Sequence, residues 1–192
     1  MEVLLVVLLP TFIITVYAVT LYNRLVLVRN NVRQAWANID VLLKQRHDEL
    51  PKLIEVCGQY MRYEREVLER LTRARANVLA TVNRRSASQL GRAEQSVRRE
   101  LRALFAVAEG FPELRADATF AHLRSRIAAL ETAIADRREF YNETVRINNA
   151  TLEQFPAVLV ARLGEFERAE LLFFGGADAA DVAVGPLLNR AH

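Results

Sequence analysis

A run of twenty uncharged residues, Val3 to Tyr22, opens this sequence and is followed by a long arginine-rich stretch. A helix rises about 1.5 Å per residue, so the run spans roughly the 30 Å hydrocarbon core of a bilayer. Later segments carry polar residues at regular intervals and are not apolar for that length. The pattern predicts a transmembrane anchor, residues 1–22, and a water-exposed remainder.

A cleaved secretory signal is the alternative interpretation of this run. Such a signal has a basic start, a shorter apolar core and a small-residue cleavage site. Here only Met1 and Glu2 precede the apolar run, and Ala18-Val19-Thr20 matches a cleavage site poorly. A retained anchor is therefore favoured. Pro10 removes one helical hydrogen bond, so we expect a kink at this position.

The charges beside the anchor predict its orientation. Arg24, Arg29 and Arg33 follow the anchor, with no acidic residue before Asp40. Lys and Arg next to a membrane span are held on the cytoplasmic side. We therefore expect a single-pass protein of the bacterial inner membrane, with its N-terminus outside and its C-terminal domain in the cytoplasm. We also expect the three arginines to contact lipid headgroups or a partner protein.

The rest of the chain has the composition of an all-α domain. Pro and Gly are scarce, and Ala, Leu, Arg and Glu dominate, a set that favours helices. Apolar residues recur every three or four positions from Leu25 to Val82, which predicts one long helix. Pro51 is expected to kink this helix, and a true turn at Pro51 is the alternative.

Two further helices are predicted after residue 82. Polar residues 83–88 indicate a turn, with Ser86 or Ser88 as the cap of a helix that ends near Gly110-Phe111-Pro112. The next helix follows a cap at Asp117 or Thr119 and keeps a regular apolar spacing from Phe120 to Phe155. Pro156 stops or kinks it, and a short helical segment to about Arg162 follows.

An arginine-rich stretch covers residues 62–102, with eleven arginines and five glutamates. This surplus of positive charge predicts either a surface for anionic lipid or an acidic partner, or a solvated helix face. The second is favoured because Glu66 with Arg70, and Glu69 with Arg73, have the spacing of intrahelical ion pairs. Because glutamates interrupt the arginines, nucleic-acid binding is not expected.

Residues that would carry catalysis are not found in a recognisable pattern. The three histidines lack metal-ligand spacing, and neither a phosphate-binding loop nor a nucleophile elbow occurs in the sequence. Cys57 is the only cysteine, so an intrachain disulfide is impossible, and a buried packing role is expected for it. We expect no enzyme activity, no cofactor, no metal and no small-molecule substrate.

An apolar tetrapeptide near the C-terminus precedes Gly175-Gly176. Such a segment either folds back on its own domain or docks on another chain. We predict that residues 164–192 form a docking tail whose partner contacts are Leu171, Leu172, Phe173 and Phe174.

Three blocks of the sequence together resemble the LemA family. The first block extends from Tyr22 to Leu53, the second from Leu104 to Ala116, and the third from Arg138 to Val145, with Phe155-Pro156 after it. The resemblance covers residues 22–163. It implies a membrane helix that continues into a four-helix-bundle-like domain of long antiparallel helices, residues 23–163.

The resemblance also implies structural roles for the motif residues and carries over no catalytic residue. Trp36 is expected in the core, and Asn38 and Asp40 are expected to contact a neighbouring helix. The C-terminal ending departs from the family's usual one, which leaves the family's tail contacts open. The residues predicted to be structural are Trp36, Asn38, Asp40, Pro51, Pro112, Tyr141, Asn142 and Pro156.

Three functions remain open after the sequence is read. We favour a non-enzymatic, membrane-anchored scaffold or accessory subunit of a larger membrane protein complex, which can be respiratory, photosynthetic or of another kind. The second is an adaptor for a membrane protease or stress-response system, which only the resemblance suggests. The third is an uncharacterised hydrolase that uses buried carboxylates. The expected partners are membrane lipids and other membrane protein subunits.

Overall fold

The computed structural model describes residues 2–82 and 86–174, with side chains from Leu8 onward except Val82. Every regular element in these ranges is a helix, which confirms the all-α prediction. The helices are α1 (Glu2–Tyr60), α2 (Arg65–Val82), α3 (Ala87–Ala108), α4 (Pro112–Ala116), α5 (Ala118–Glu153) and α6 (Ala157–Leu163).

The chain forms two compact units, and the long helices α1 and α5 contribute to both. Unit 1 comprises Met1–Asn38 and Glu139–Ala169, and unit 2 comprises Ile39–Arg138 and Glu170–His192. Unit 1 therefore contains the apolar start of α1, the end of α5 and all of α6. Unit 2 contains the rest of α1 and α5 together with α2, α3 and α4.

Helix α1 begins apolar and exposed, and it becomes a packed helix further along. It is long and apolar enough near its start to cross a membrane. Phe12 and Ile14 are each 67% exposed, and Leu25 is the first buried residue among the described side chains. The helix continues through Pro10 and Pro51, so the alternative of a turn at Pro51 is wrong.

The long helix predicted from Leu25 to Val82 is wrong in one respect, because the chain turns at residues 61–64. The amide of Glu64 donates to the carbonyl of Met61 at 3.1 Å, and Tyr63 is fully exposed. Met61 is buried, and Val67 and Leu71 resume the buried stripe in α2. The apolar period is thus unbroken although the chain reverses, because periodicity reports which face is buried and not where a helix ends.

The predicted helix ends are confirmed where the structure describes them. Ser86 is the N-cap of α3 and accepts a hydrogen bond from the amide of Gln89. Asp117 Oδ1 accepts from the amide of Phe120 at 2.9 Å at the start of α5. Pro112 follows the end of α3 and also opens the short helix α4, where its missing N–H costs nothing. Residues 83–85 of the predicted turn lie outside the described ranges.

The core of unit 1 is a small apolar cluster between α1, α5 and α6. Leu25 of α1 packs with Leu152 of α5 and with Ala157 and Ala161 of α6, and Phe166 covers the cluster. Further along, the rings of Trp36 and Tyr141 lie 5.4 Å apart. The contact that lies later in α1 thus lies earlier in α5, so the two helices run antiparallel within this unit.

Unit 2 packs four long helical stretches, from α1, α2, α3 and α5, and the short helix α4 around a leucine-rich core. Successive contacts of α1 with α5 join Arg46 to Glu131, Glu49 to Arg126, and Tyr60 to Asp117 at the residue before α5, so these two helices are antiparallel. Arg70 near the start of α2 contacts Glu100 near the end of α3, as in an antiparallel pair. Burial of each large aliphatic side chain stabilises the unit by about 1.5–3 kcal/mol. The core side chains that are almost completely buried include Leu50, Leu53, Leu71, Leu104, Leu114, Ile127 and Ile134.

Candidate functional site

The most unusual group in unit 2 is a buried ion network centred on Arg46. Arg46 lies on α1 and is completely buried. Its guanidinium donates to the carboxylates of Glu94 on α3 and Glu131 on α5. Burying one charge without a partner costs several kcal/mol, so the two carboxylates are what allows Arg46 to occupy the core.

The network extends to the helices around it. Arg98 of α3 donates through Nε to Glu131 at 2.9 Å. His47 Nε2 lies 3.1 Å from Glu94 Oε1, and the backbone carbonyl of His47 accepts from Arg75 of α2 at 3.2 Å. Side chains from α1, α2, α3 and α5 therefore meet at one buried level of unit 2.

Burial decides the charge states in this network. Desolvation lowers the pKa of the Arg46 guanidinium, while the carboxylate of Glu131 opposes that change. Desolvation, with the charges of Arg46 and Arg75, lowers the pKa of His47 to about 4. His47 is therefore neutral near pH 7. Because a carboxylate only accepts hydrogen bonds, we assign the proton of the neutral ring to Nε2, where it is donated to Glu94.

This arrangement suits structural tethering better than acid–base chemistry. Glu94 and Glu131 both accept hydrogen bonds from guanidinium groups, so their carboxylate oxygens are engaged within the network. Within the described residues, His47 Nδ1 has no hydrogen-bond partner, but a low pKa makes this nitrogen a weak base. No group of three or more metal-type ligands occurs among the described residues.

Two outer carboxylates in unit 2 are also paired with basic residues. Glu49 accepts from Lys52 and Arg126, and its hydrogen bond to Lys52 is the main cause of its lowered pKa. Glu100 accepts from Arg70 at 3.2 Å and from Arg99 at 3.0 Å.

The arginine-rich stretch forms the intrahelical pairs that its spacing predicts. Arg70 lies 2.6 Å from Glu66, and Arg73 lies 3.7 Å from Glu69. Each pair is exposed at least in part, and such pairs stabilise a helix by only about 0.3–0.5 kcal/mol. The solvated-face interpretation is thus confirmed for these two pairs.

The buried thiol of Cys57 is unreactive. Burial raises the pKa of Cys57 to about 12, so almost none of it is thiolate near neutral pH. The predicted packing role of this residue is confirmed by its complete burial.

The three arginines predicted to contact lipid or a partner lie in unit 1 and differ in environment. Arg24 and Arg33 are exposed, whereas Arg29 is half-buried. The guanidinium of Arg29 lies 4.8 Å from the ring centre of Phe166, a cation–π contact within the chain. Contact with lipid or a partner stays a prediction for these residues.

The tail tetrapeptide takes the first of its two predicted alternatives and folds back on its own domain. Leu172 and Phe174 are buried in unit 2, where their side chains contact this chain. Partner contact by these two residues stays a prediction. Leu171 and Phe173 are half-buried, and partner contact by these two stays a prediction. Residues 175–192 of the predicted docking tail lie outside the described ranges.

Two of the predicted structural roles are wrong. Asn38 is exposed, and Asp40 pairs with Lys44 of its own helix at 2.8 Å, so neither residue is seen to contact a neighbouring helix. The backbone turns both positions away from the stripe occupied by Ile39 and Leu43, which are buried as expected.

The other predicted structural residues lie at packing positions or helix ends. Trp36 is half-buried against Tyr141, and Asn142 is buried. Pro156 precedes the first residue of α6 and separates it from α5. Pro51 lies exposed on α1.

The ion network was not predicted from the sequence, although the sequence holds a signal for it. Arg46 lies three residues after Leu43 and four before Leu50, and both leucines are buried on the same stripe of α1. Glu94 occupies the equivalent place on α3, between buried Leu90 and Val97. A charge at a core position of one helix with an opposite charge at a core position of another is the pattern that would have indicated the pair.

Comparison with known proteins adds one finding to this geometry. A model described as the LemA family matches residues 35–185, most of the chain. A search of curated proteins returned no match.

Proposed function

The chain belongs to the LemA family, and from that premise we propose that it is a non-enzymatic, membrane-anchored helical scaffold or accessory subunit of a larger membrane protein complex. The observation that carries the proposal is α1. Its large apolar side chains from Leu8 to Val19 are exposed, and the same helix continues without a break to Tyr60, with a packed part in unit 2.

The proposed location is the bacterial inner membrane, with α1 as a single span. Exposed large apolar side chains are costly in water and favourable in lipid, and Leu8, Leu9, Phe12, Ile13 and Ile14 are all more than half exposed. Arg24, Arg29 and Arg33 follow this segment, which supports a cytoplasmic body and an N-terminus outside.

Unit 1 also presents apolar side chains beyond the anchor, which supports contact with other subunits. Leu159 and Leu163, four residues apart on α6, are 53% and 88% exposed, and Phe155, just before α6, is 81% exposed. Large apolar residues grouped on one face are typical of interaction sites. We propose that this face, together with Arg24 and Arg33, contacts membrane lipids and partner subunits.

A non-enzymatic role is supported by the pairing of the buried carboxylates. A hydrolase that uses bundle carboxylates needs an acid whose pKa is raised into the working range. Glu94 and Glu131 are held by Arg46, and Glu100 is held by Arg70 and Arg99. Carboxylates that are paired with arginines in this way are not free to contact a substrate, so the pairing favours the scaffold over the hydrolase alternative.

The proposal is tested by recovering the protein from native membranes after gentle solubilisation. An affinity-tagged full chain, cross-linked before extraction and analysed by mass spectrometry, is expected to carry reproducible cross-links from unit 1 to other membrane proteins. Recovery of the free protein alone would contradict a scaffold role. A membrane protease as the main partner would instead favour the adaptor function.

A matched pair of variants makes the test specific. The double substitution Phe155→Ser with Leu163→Ser removes the exposed apolar face of unit 1, and we expect the cross-links to fall while membrane association is kept. Tyr63→Ser is the control, because Tyr63 is fully exposed at the turn of unit 2. Equal cross-linking of both variants would show that the apolar face is not the docking surface.

A further inference from the structure

Residues Glu170–Phe174 lie in unit 2 as an extended peptide, which we call the clasp. The clasp has no helical residue. Leu172 is completely buried, and Phe174 is 6% exposed, whereas Leu171 and Phe173 between them are half-buried. Alternate side chains of the clasp are thus the more deeply buried ones, as in a peptide that binds in an extended conformation.

A groove on α3 receives the backbone of the clasp at Gly91. A Cβ atom at position 91 would overlap the carbonyl oxygen of Phe173 and would lie 3.5 Å from Leu172 Cδ1. A glycine inside a helix lowers the stability of that helix. Its presence at position 91 allows the close approach of the clasp backbone, which a side chain would block.

Two guanidinium groups hold the aromatic end of the clasp. The ring centre of Phe174 lies 5.2 Å from Arg98 and 5.2 Å from Arg138. Arg98 is also the residue that binds Glu131 at the edge of the buried ion network. The end of the clasp therefore packs on a side chain that is already fixed by the core.

The acidic end of the clasp meets the N-terminus of α3. Glu170 Oε2 accepts from Ser86 Oγ at 3.3 Å and from the amide of Ser88 at 3.4 Å. A carboxylate is favoured at this end of a helix by the unpaired amides and the helix dipole. The groove thus recognises an acid, a leucine and a phenylalanine at alternate positions.

The residues that lead into the clasp carry a conformational cost. Glu165 has φ of 51°, in the left-handed region that favours glycine. Release of this conformation would remove that cost, while the hydrogen bonds of Ala169 to Asn149, each 3.0 Å, hold the residue just before the clasp. Strained connections of this kind favour the exchange of a terminal segment between copies of one chain.

We propose that the α3 groove is a peptide-binding site that takes the clasp of a second copy of this chain in exchange for its own. The second copy is the partner that fits, because it carries a segment with the matching acid, leucine and phenylalanine. Reciprocal exchange of two clasps would join two copies through the same contacts that the clasp makes with α3 within one copy. This inference goes beyond the proposed function. The contacts proposed there are made by unit 1, whereas the groove and its ligand both lie in unit 2.

The groove is tested with a full chain whose own clasp is weakened, Leu172→Ala with Phe174→Ala. A fluorescent peptide of residues 167–174 is expected to bind this variant saturably, and to bind the native chain about tenfold or more weakly because the native clasp competes at high effective concentration. Adding Gly91→Val to the variant should abolish binding. Absence of saturable binding by a variant with native helix content would overturn the proposal.

Exchange between copies is tested with Gly91, Leu172 and Phe174 unchanged, so it does not depend on the weakened variant folding. Two differently tagged full chains are co-expressed, one with Ser88→Cys and the other with Glu170→Cys. A disulfide-linked dimer that carries both tags is expected in the membrane. Native Cys57 does not interfere because its thiol is buried.

The matched control for exchange replaces Ser88→Cys with Gln95→Cys, an exposed position further along α3. This pair is expected to give no linked dimer. Equal linking by both pairs, or no linking by either, would overturn exchange with a second copy.

Discussion

Arg46 is the residue on which the core of unit 2 depends most. Its guanidinium is fully buried and joins carboxylates from α3 and α5. Buried ion pairs are weak sources of net stability, but removal of one member leaves the other charge uncompensated. The network therefore acts mainly to specify which helix faces meet, and its loss should be costly.

The first prediction concerns Arg46→Ala. The free energy of unfolding of the full chain in detergent micelles should fall by about 3–5 kcal/mol, because Glu94 then stays buried without its cation. Denaturant titration followed by circular dichroism measures the change. Arg73→Ala removes an exposed pair with Glu69 and is the control, with an expected change below about 0.5 kcal/mol. Equal effects of the two substitutions would contradict the assigned role of the network.

The second prediction concerns the pH dependence caused by His47. The folded chain holds the pKa of His47 at about 4 instead of 6.5, so the unfolded chain binds the proton more readily between these values. The contribution of neutral His47 to the free energy of unfolding is therefore fully present above pH 6.5. It is lost as the pH drops towards 4, which lowers the free energy of unfolding by up to about 3 kcal/mol. Unfolding titrations across this range measure the slope.

His47→Gln is the control for that slope. The variant should lose the pH dependence above pH 4.5 and keep the loss at lower pH, where Glu49 and Asp117 titrate with lowered pKa values. Hydrogen bonds from Lys52 to Glu49, and from the amide of Phe120 to Asp117, cause those two shifts. The same slope in the native chain and the variant would exclude His47 as its source.

At the scale of elements, the helix ends show which parts of the fold can be predicted from the local sequence. Ser86 and Asp117 cap their helices as the sequence predicts, because a cap acts within one helical turn. The turn at residues 61–64 was not predicted, since Met61 and Leu71 keep the apolar period through it. Where a helix ends without Pro, Gly or an N-cap residue, the end depends on packing between helices.

The ion network could not be predicted from the sequence for a related reason. Arg46, Glu94 and Glu131 are separated by long stretches of sequence and meet only after α1, α3 and α5 pack together. Each residue alone resembles an ordinary surface charge of an arginine-rich chain. Position on the buried stripe marks Arg46 and Glu94 as candidates, but their pairing requires the helix arrangement.

The third prediction concerns the end of α6. The amide of Phe166 donates to the carbonyl of Ala161, and Glu165 occupies the left-handed position between them. Glycine is the preferred residue at this place in a helix C-terminus. Glu165→Gly should therefore raise the free energy of unfolding by about 0.5–1 kcal/mol. The control Glu167→Gly, at an exposed site in the segment that follows, should not stabilise the chain, and equal gains would contradict this interpretation.

At the scale of the whole molecule, the proposed membrane anchoring would place the two parts of α1 in different solvents, lipid and water. The exposed apolar part lies before Leu25, and buried or charged residues dominate after it. The proposed membrane location, the cytoplasmic body and contacts with partner subunits all depend on this division.

Labelling with a membrane-impermeant maleimide in spheroplasts tests this division directly. The full chain carries either Glu2→Cys, before the apolar segment, or Arg73→Cys, at an exposed site of α2. Glu2→Cys should react in intact spheroplasts, whereas Arg73→Cys should react only after permeabilisation. Reaction of Arg73→Cys in intact spheroplasts, or recovery of the full chain in the soluble fraction, would contradict a membrane-anchored protein with a cytoplasmic body.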